Sequence, residues 1–220
     1  MTAGLYHPDE ATLADYAAGT LGDGMSLLVA AHMTYCHECR RTVETMESAG
    51  GVSLKGCEPV PMSADAATAA LALIDTAPSF EEEQTPEPTC SVDDRVPLVL
   101  QRVLDDNLDN LSWQFCLPGL HQHSMSGFDG EDVALIRARP GAQMLPHTHT
   151  GDEATLILAG AMHDGDVVYR VGDVAQADHD DDHRPKIVGE ETCYCLIVMS
   201  GGMHFTGRFS RALNLFNRAG

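Results

Sequence analysis

The stretch from His32 to Cys39 constrains the fold of this chain more than any other. Its sequence, His-Met-Thr-Tyr-Cys-His-Glu-Cys, separates His32 from Cys36 by four residues and Cys36 from Cys39 by three. On an α-helix these separations bring the three side chains onto one face. One imidazole and two thiolates suit Zn²⁺ and lack only a fourth ligand. We therefore predict a structural zinc site, against the alternative of three buried helix residues.

The fourth ligand of this site has to come from elsewhere in the chain. His7 precedes Pro8 and an amphipathic run that predicts a first helix, so antiparallel packing of the first two helices would bring His7 to the metal. His37 and Cys57 are the alternatives. His37 lies between the two cysteines and is expected to point away from their shared face, whereas Cys57 lies in a glycine-containing turn that can fold back.

The first third of the chain has the hydrophobic pattern of short helices. The apolar stripe of the last of them includes Leu71 and Ile74, and it can pack either on the preceding helices or on another protein. Gly50-Gly51 is expected to end the third helix. The predicted helices cover residues 8–19, 24–32, 36–48 and 63–76.

The rest of the chain combines an acidic linker with β-like segments. The linker contains three prolines and a run of carboxylates. A short helix-like run follows Pro97, and then β-like stretches separated by turns indicate an all-β sandwich or barrel. Residues 160–165 have the composition of a turn. Strands are predicted at 132–139, 154–158, 167–171, 192–199 and 204–209, and the domains at 1–76 and 97–220 with the linker at 77–96.

Charge and composition exclude several classes of function. The chain has 33 acidic and 13 basic residues and a formal net charge of −20, which makes direct binding to nucleic acid improbable and a basic protein partner plausible. No apolar run approaches the roughly 20 residues of a membrane span, and the first residues lack the pattern of a signal peptide. Seven cysteines, an odd number, favour metal or redox use in a reducing compartment over a disulfide framework. We therefore expect a cytoplasmic protein without a membrane partner.

A second metal-binding pattern lies in the β half. His147 and His149 are two residues apart and therefore share one face of a strand, and Glu153 follows shortly after. A later loop contains His179 and His183, one of which is expected to complete a site of three histidines and one carboxylate. The spacing Gly141-x5-His-x-His-x3-Glu-x6-Gly160 resembles the first cupin motif at every defining position. The second cupin motif is matched only in part, and counting along it favours His183 over His179.

Taken together, the two patterns resemble the ChrR-type zinc-binding anti-sigma factors over nearly the whole chain. This resemblance implies a small helical zinc-binding bundle followed by an all-β cupin, or jelly-roll barrel. It further implies a partner, an extracytoplasmic-function sigma factor that the helices keep from core RNA polymerase, and a cupin that responds to singlet oxygen or related oxidants. The ligands that it implies are His7, His32, Cys36 and Cys39 for a structural zinc, and His147, His149, Glu153 and His183 for a second metal, zinc in that family.

The alternative hypothesis is a cupin metalloenzyme, because a site of three histidines and one glutamate can leave metal positions open for O₂ or a hydroxylated substrate. His121, His123 and His163 are candidates to line its pocket, or are simply surface residues. Cys193 and Cys195 share one face of a predicted strand. They are either redox-sensitive groups near the metal or core residues. The attached zinc-helix pattern favours the regulator.

Overall fold

The computed structural model describes residues 6–76, 93–104 and 106–207. Five helices precede eleven strands in this part of the chain, so the predicted order of a helical half (6–76) and a β half (93–207) is confirmed. The helices are α1 Glu10–Ala18, α2 Asp23–Tyr35, α3 His37–Lys55, α4 Ala66–Thr76 and α5 Leu98–Gln101. The strands are β1 Gln114–Leu117, β2 Leu120–Met125, β3 Asp132–Ala138, β4 His147–His149, β5 Glu153–Ala159, β6 Ala161–Asp164, β7 Val167–Arg170, β8 Val174–Ala177, β9 Lys186–Val188, β10 Cys193–Met199 and β11 Met203–Phe205.

Two sequence-based boundaries are wrong. α3 runs through Gly50-Gly51 to Lys55, because neither glycine takes the left-handed conformation that ends a helix. An exposed glycine inside a helix costs only about 1 kcal/mol relative to alanine. The predicted turn at 160–165 contains strand β6, which pairs with β7 on one edge and β9 on the other. Pairing on both edges outweighs the local preference of its flanking glycines for a turn.

The β half is built from a large sheet and two small ones. The six-stranded sheet has the order β1-β2-β3-β10-β5-β8, the three-stranded sheet β7-β6-β9, and the two-stranded sheet β11-β4. Alternating side chains give the large sheet two apolar faces. Ile157 and Cys195 on its inner face pack with Met162 and Ile187 of the three-stranded sheet.

The outer face of the large sheet is covered by helices. Leu135, Leu156 and Leu196 of this face form one buried cluster with Leu28 of α2 and Leu100 of α5. The two halves therefore share a hydrophobic core. Residues 77–92 of the predicted linker lie outside the described part of the chain. Val96, the last residue of the predicted linker, is 5% exposed and belongs to the same cluster. The packed segment thus starts before the predicted boundary at 97.

Glu131 of the β half caps the N-terminus of α2. Gly22 at the N-cap position has no side chain, and the two carboxylate oxygens of Glu131 instead accept hydrogen bonds from Gly24 N (2.7 Å) and Met25 N (3.2 Å). A carboxylate at a helix N-terminus is stabilising by about 0.3–1 kcal/mol. A Cβ on Gly24 would lie 2.5 Å from a methyl group of Val133. Glycine at this position therefore permits the close contact between α2 and the sheet.

Helix α4 lies apart from this core. Leu71, Leu73 and Ile74 are 63%, 71% and 70% exposed, and none of the helix's residues is buried against the described parts of the chain. The sequence allowed its apolar stripe to pack either on the preceding helices or on another protein. In the structure the stripe does not pack on the preceding helices. In residues 6–76, 93–104 and 106–207, no helix combines the length and apolar character needed to cross a membrane.

Candidate metal centres

The structure brings His7, His32, Cys36 and Cys39 together in the helical half, with donor atoms within 4.8 Å of one another. His7 Nδ1 lies 3.4 Å from both cysteine Sγ atoms, and His32 Nε2 lies 3.3 Å from Cys39 Sγ. Zinc bonds of 2.0–2.1 Å to nitrogen and about 2.3 Å to sulfur, at tetrahedral angles, place the two donors about 3.5 Å apart. The observed separations therefore match four ligands of one tetrahedral ion.

Three helices position these side chains. His7 precedes α1, His32 lies in the last turns of α2, and Cys39 lies in the first turn of α3. The ligands do not share one continuous helix face, because Cys36 is extended (φ −108°, ψ 108°) and separates α2 from α3. Its Sγ accepts a hydrogen bond from Cys39 N (3.4 Å), which caps α3. The alternatives for the fourth ligand, His37 and Cys57, are exposed and lie outside this group.

Burial sets the protonation of this group. His32 and Cys36 are fully buried, and Cys39 is 3% exposed. Burial lowers the pKa of His32, which favours the neutral imidazole that a metal requires. Burial, together with the adjacent Cys36, raises the pKa of Cys39 to about 12. A thiolate at Cys39 is therefore unfavourable here without a cation, and a bound metal would displace the Cys39 proton. The donor set and its spacing fit zinc.

The second group lies in the β half and contains His147, His149, Glu153 and His183. The two histidines of β4 are 1% and 4% exposed, and Glu153 at the start of β5 is 8% exposed. His183 Nε2 lies 3.0 Å from His147 Nε2 and 2.9 Å from His149 Nε2, and His149 Nε2 lies 3.3 Å from Glu153 Oε2. Ligands with bonds of 2.0–2.1 Å to one ion lie about 2.9–3.3 Å apart.

Hydrogen bonds on the far side of two rings direct the Nε2 atom of each ring into this group, as a shared metal ion would require. His147 Nδ1 lies 2.8 Å from Leu145 O and His183 Nδ1 lies 2.7 Å from Asp164 Oδ2. Carbonyl and carboxylate oxygens only accept, so both Nδ1 atoms donate and each neutral ring presents a lone pair at Nε2. Two lone pairs facing each other at 3.0 Å repel unless a metal ion or a proton lies between them. This pattern of Nδ1 partners is also typical of metal-ligating histidines.

The carboxylate and the second histidine of β4 support the same conclusion. Burial, with a smaller effect from His147, lowers the pKa of His149 to about 4. Burial raises the pKa of Glu153 to about 6. Glu153 Oε1 accepts a hydrogen bond from Thr155 (3.2 Å), whereas Oε2 has no hydrogen-bond partner among the described residues. Three imidazoles and one carboxylate fit zinc and other first-row divalent ions.

Backbone pairing decides which later histidine joins the site. His183 N donates to His147 O (3.0 Å) and His147 N donates to His183 O (3.2 Å), so the loop is held against β4 at this residue. His179 is exposed, and its neighbours in space are the exposed Asp178 and Asp180. The geometry therefore includes His183 in the group and leaves His179 outside it.

The remaining candidates lie elsewhere. His121 and His123 are on β2, where His123 Nδ1 lies 3.3 Å from Ser112 O, and His163 is on β6. Neither β2 nor β6 carries a member of the two four-residue groups described above. Cys193 and Cys195 both lie in the inner apolar cluster of the β half. The adjacent Cys193, followed by burial, raises the pKa of Cys195 well above its usual range, so it is a thiol in the core.

Asp164 is a further candidate residue of this site that the sequence did not reveal, because it lay in the predicted turn. Its hydrogen bond to His183 raises the pKa of that histidine, although burial by itself lowers it. We expect Asp164→Asn to weaken metal binding at the β-half site about 10–100-fold, as changes at such carboxylates usually do. Chelator competition followed by elemental analysis measures this effect. Asp166→Asn, an exposed change after the same strand, is the control, and equal metal loss in both variants would contradict the role of Asp164.

Comparison with known proteins places these sites in context. The family described as ChrR Cupin-like domain matches residues 104–202. The chain is 30% identical over 214 residues to the anti-sigma-E factor ChrR of Cereibacter sphaeroides, covering 97% of this chain and 98% of that protein. It also matches a chain in the crystal structure of Rhodobacter sphaeroides SigE in complex with the anti-sigma ChrR, with a TM-score of 0.77 and 28% identity over 88% of this chain and 98% of that chain. The similarity therefore includes both halves.

Proposed function

The chain belongs to the ChrR family of anti-sigma factors, and on that premise we propose that its helical half sequesters an extracytoplasmic-function sigma factor. The observation that carries this proposal is the similarity to an anti-sigma factor over 97% of the chain. The relative with this similarity is an anti-sigma factor, which is a regulator, so the metal sites of this chain would serve structure and signalling. A sigma factor acts on RNA polymerase, so its sequestration would take place in the cytoplasm.

Helix α4 supplies a surface for the sigma factor. Its sequence, Ala66-Ala-Thr-Ala-Ala-Leu-Ala-Leu-Ile-Asp-Thr76, is apolar on nearly every side, a composition that normally requires burial. In the structure its leucines and isoleucine are exposed instead, and Val60 and Met62 before it are 84% and 77% exposed. Contiguous exposed apolar groups mark protein interaction sites. We call Val60, Met62, Leu71, Leu73 and Ile74 the α4 surface.

Charge complements this apolar surface. The chain has 33 acidic and 13 basic residues, whereas a sigma factor reads DNA and is expected to present basic surfaces. Opposite charges accelerate association and exclude wrong partners more than they add affinity. The apolar α4 surface would therefore contribute most of the binding free energy, and the acidic exterior would increase the rate of association. The same negative charge disfavours direct contact of this protein with DNA.

Zinc in the helical half serves a structural role in this proposal. Its four ligands come from the segment before α1, from α2, from the α2–α3 junction and from α3. Bound zinc supplies a cross-link between these elements. The apolar core beneath it is small, with Leu13, Val29 and Val43 as its buried aliphatic residues. The ligands would therefore fix the arrangement of α1, α2 and α3 relative to one another.

The β half is the sensor in this proposal. Its ligand group, His147, His149, Glu153 and His183, would hold a second zinc. Imidazole ligands are targets for an oxidative signal such as singlet oxygen, and a modified ring no longer presents the lone pair that the site requires. Loss of the intact ligand group would bias the contact between the two halves and release the sigma factor.

Co-purification and transcription assays test this function. The full-length protein is expected to contain two metal ions per chain, to form a stoichiometric complex with an extracytoplasmic-function sigma factor from the same organism, and to block transcription by core polymerase with that sigma factor. A protein that captures none of the organism's sigma factors of this class, and that consumes O₂ in the presence of small-molecule substrates, would overturn the proposal in favour of an enzyme.

A further inference from the structure

The metal group of the helical half takes part of its surroundings from the β half. His32 Nδ1 donates a hydrogen bond to the carbonyl of Gly172, 140 residues away, at 2.7 Å, and both groups are buried. This contact fixes the tautomer of His32 and leaves Nε2 free to face Cys39. Gly172 has φ +92°, and a Cβ there would lie 2.9 Å from Cβ of Tyr35. Glycine is therefore required for this carbonyl to reach the histidine.

His7 is held by the same part of the β half. The residue before it, Tyr6, accepts a hydrogen bond from Val174 N (3.1 Å) through its carbonyl, and the centroid of its ring lies 4.9 Å from that of Tyr169 in a tilted contact. Two residues after it, Asp9 N donates to Gln176 Oε1 (2.9 Å). Residues 6–9 thus run along the free edge of β8, the last strand of the six-stranded sheet. His7 lies between its two anchoring points.

The opposite edge of β8 pairs with the strand that begins with Glu153. Ala177 is the register partner of Glu153, and Val174 is the partner of Leu156. The turn before β8 is tied to the same strand, because Gly172 N donates to Ile157 O at 2.9 Å. The four residues of β8 therefore contact the segment that carries His7 on one edge and the segment that carries a ligand of the second site on the other.

We propose that β8 and the Gly172 turn are positioning elements of the helical metal site, and that they couple the ion occupancy of the two sites. This inference rests on the proposed metal binding at both sites. A complete ligand group at Glu153 holds β8 in register, and β8 in turn holds His7 and His32 at the distances seen here. Coupling of this kind is reciprocal, so an ion at either site strengthens binding at the other. It gives the sensor a direct physical route to the helices that face the sigma factor.

Cobalt binding to the full-length protein tests the coupling, because one absorption band reports the occupancy of the helical site alone. Co²⁺ bound by Cys36 and Cys39 has a sulfur-to-metal charge-transfer absorption that a site of histidines and glutamate lacks, so this band reports the helical site. Chelator titration of the band gives its affinity. Glu153→Gln weakens the second site without changing side-chain size, and Gln176→Ala removes only the anchor of Asp9. Gln122→Ala, on β2 of the same sheet, is the matched control.

We expect Glu153→Gln and Gln176→Ala each to lower the cobalt affinity of the helical site about 10-fold or more, within the roughly 5–150-fold range usual for coupling between two sites. Gln122→Ala should leave it unchanged. Equal affinities in the wild type, Glu153→Gln and Gln176→Ala would overturn the coupling, and so would an equal loss in Gln122→Ala. Capture of the sigma factor by the wild-type protein, measured in parallel, separates failure of the coupling from failure of the proposed function.

Discussion

Cys39→Ser is expected to remove the metal ion from the helical half and to abolish capture of the sigma factor. Cys39 Sγ contacts both His32 Nε2 and His7 Nδ1, at 3.3 and 3.4 Å, so it joins donors from two different segments. Structural zinc contributes about 10–16 kcal/mol in small zinc-dependent folds. The buried aliphatic residues beside the site, Leu13, Val29 and Val43, contribute only about 1.5–3 kcal/mol each. The packing of α1 against α3 should therefore be lost.

Elemental analysis, circular dichroism and sigma-factor capture measure this outcome on the full-length variant. Bound metal is expected to fall from two ions per chain to one, and helical content should fall while the inner cluster of the β half, around Ile157 and Cys195, stays packed. Cys57→Ser is the matched control, because Cys57 is exposed and lies after the end of α3. A Cys39→Ser protein that keeps two metal ions and full sigma-factor affinity would show that the helical site is not structural.

The parts of the candidate sites that depend on local spacing could be predicted from the sequence. His32, Cys36 and Cys39 are close in sequence, so they stay near one another although the extended Cys36 separates α2 from α3. His147 and His149 share a strand face for the same kind of reason. His7 needed a further assumption about how two helices pack. His183 needed a motif that the chain matches only in part, and its position is set by backbone pairing with His147.

The contacts between the halves could not be predicted, because they join residues far apart in the chain. Nothing near Gly172 indicates that its carbonyl accepts a hydrogen bond from His32. Strand β8 has only four residues, and its place at the sheet edge follows from pairing with β5 and from the segment that contains His7. The apolar residues of α2 likewise fit a helical bundle as well as they fit a sheet, and only the structure shows Leu28 packed on the sheet.

Leu71→Glu with Ile74→Glu is expected to weaken sigma-factor binding at least 100-fold while leaving the fold and metal content intact. Both side chains are exposed, at 63% and 70%, so their replacement removes no packing from the described structure. Burying an aliphatic side chain in an interface contributes about 1.5–3 kcal/mol, and two such losses exceed the roughly 2.8 kcal/mol that a 100-fold change requires. Titration of the labelled sigma factor with the variant measures the change.

The charge introduced by this variant acts in the opposite direction to the expected loss. Two additional carboxylates on a protein of net charge −20 strengthen the long-range attraction of a basic partner, so weaker binding has to come from the lost apolar contact. Leu98→Glu with Phe115→Glu is the matched control, because these residues of the β half are 66% and 67% exposed and gain the same charge. If the Leu71 and Ile74 variant binds as tightly as the control, the sigma factor docks elsewhere and the α4 surface has another partner.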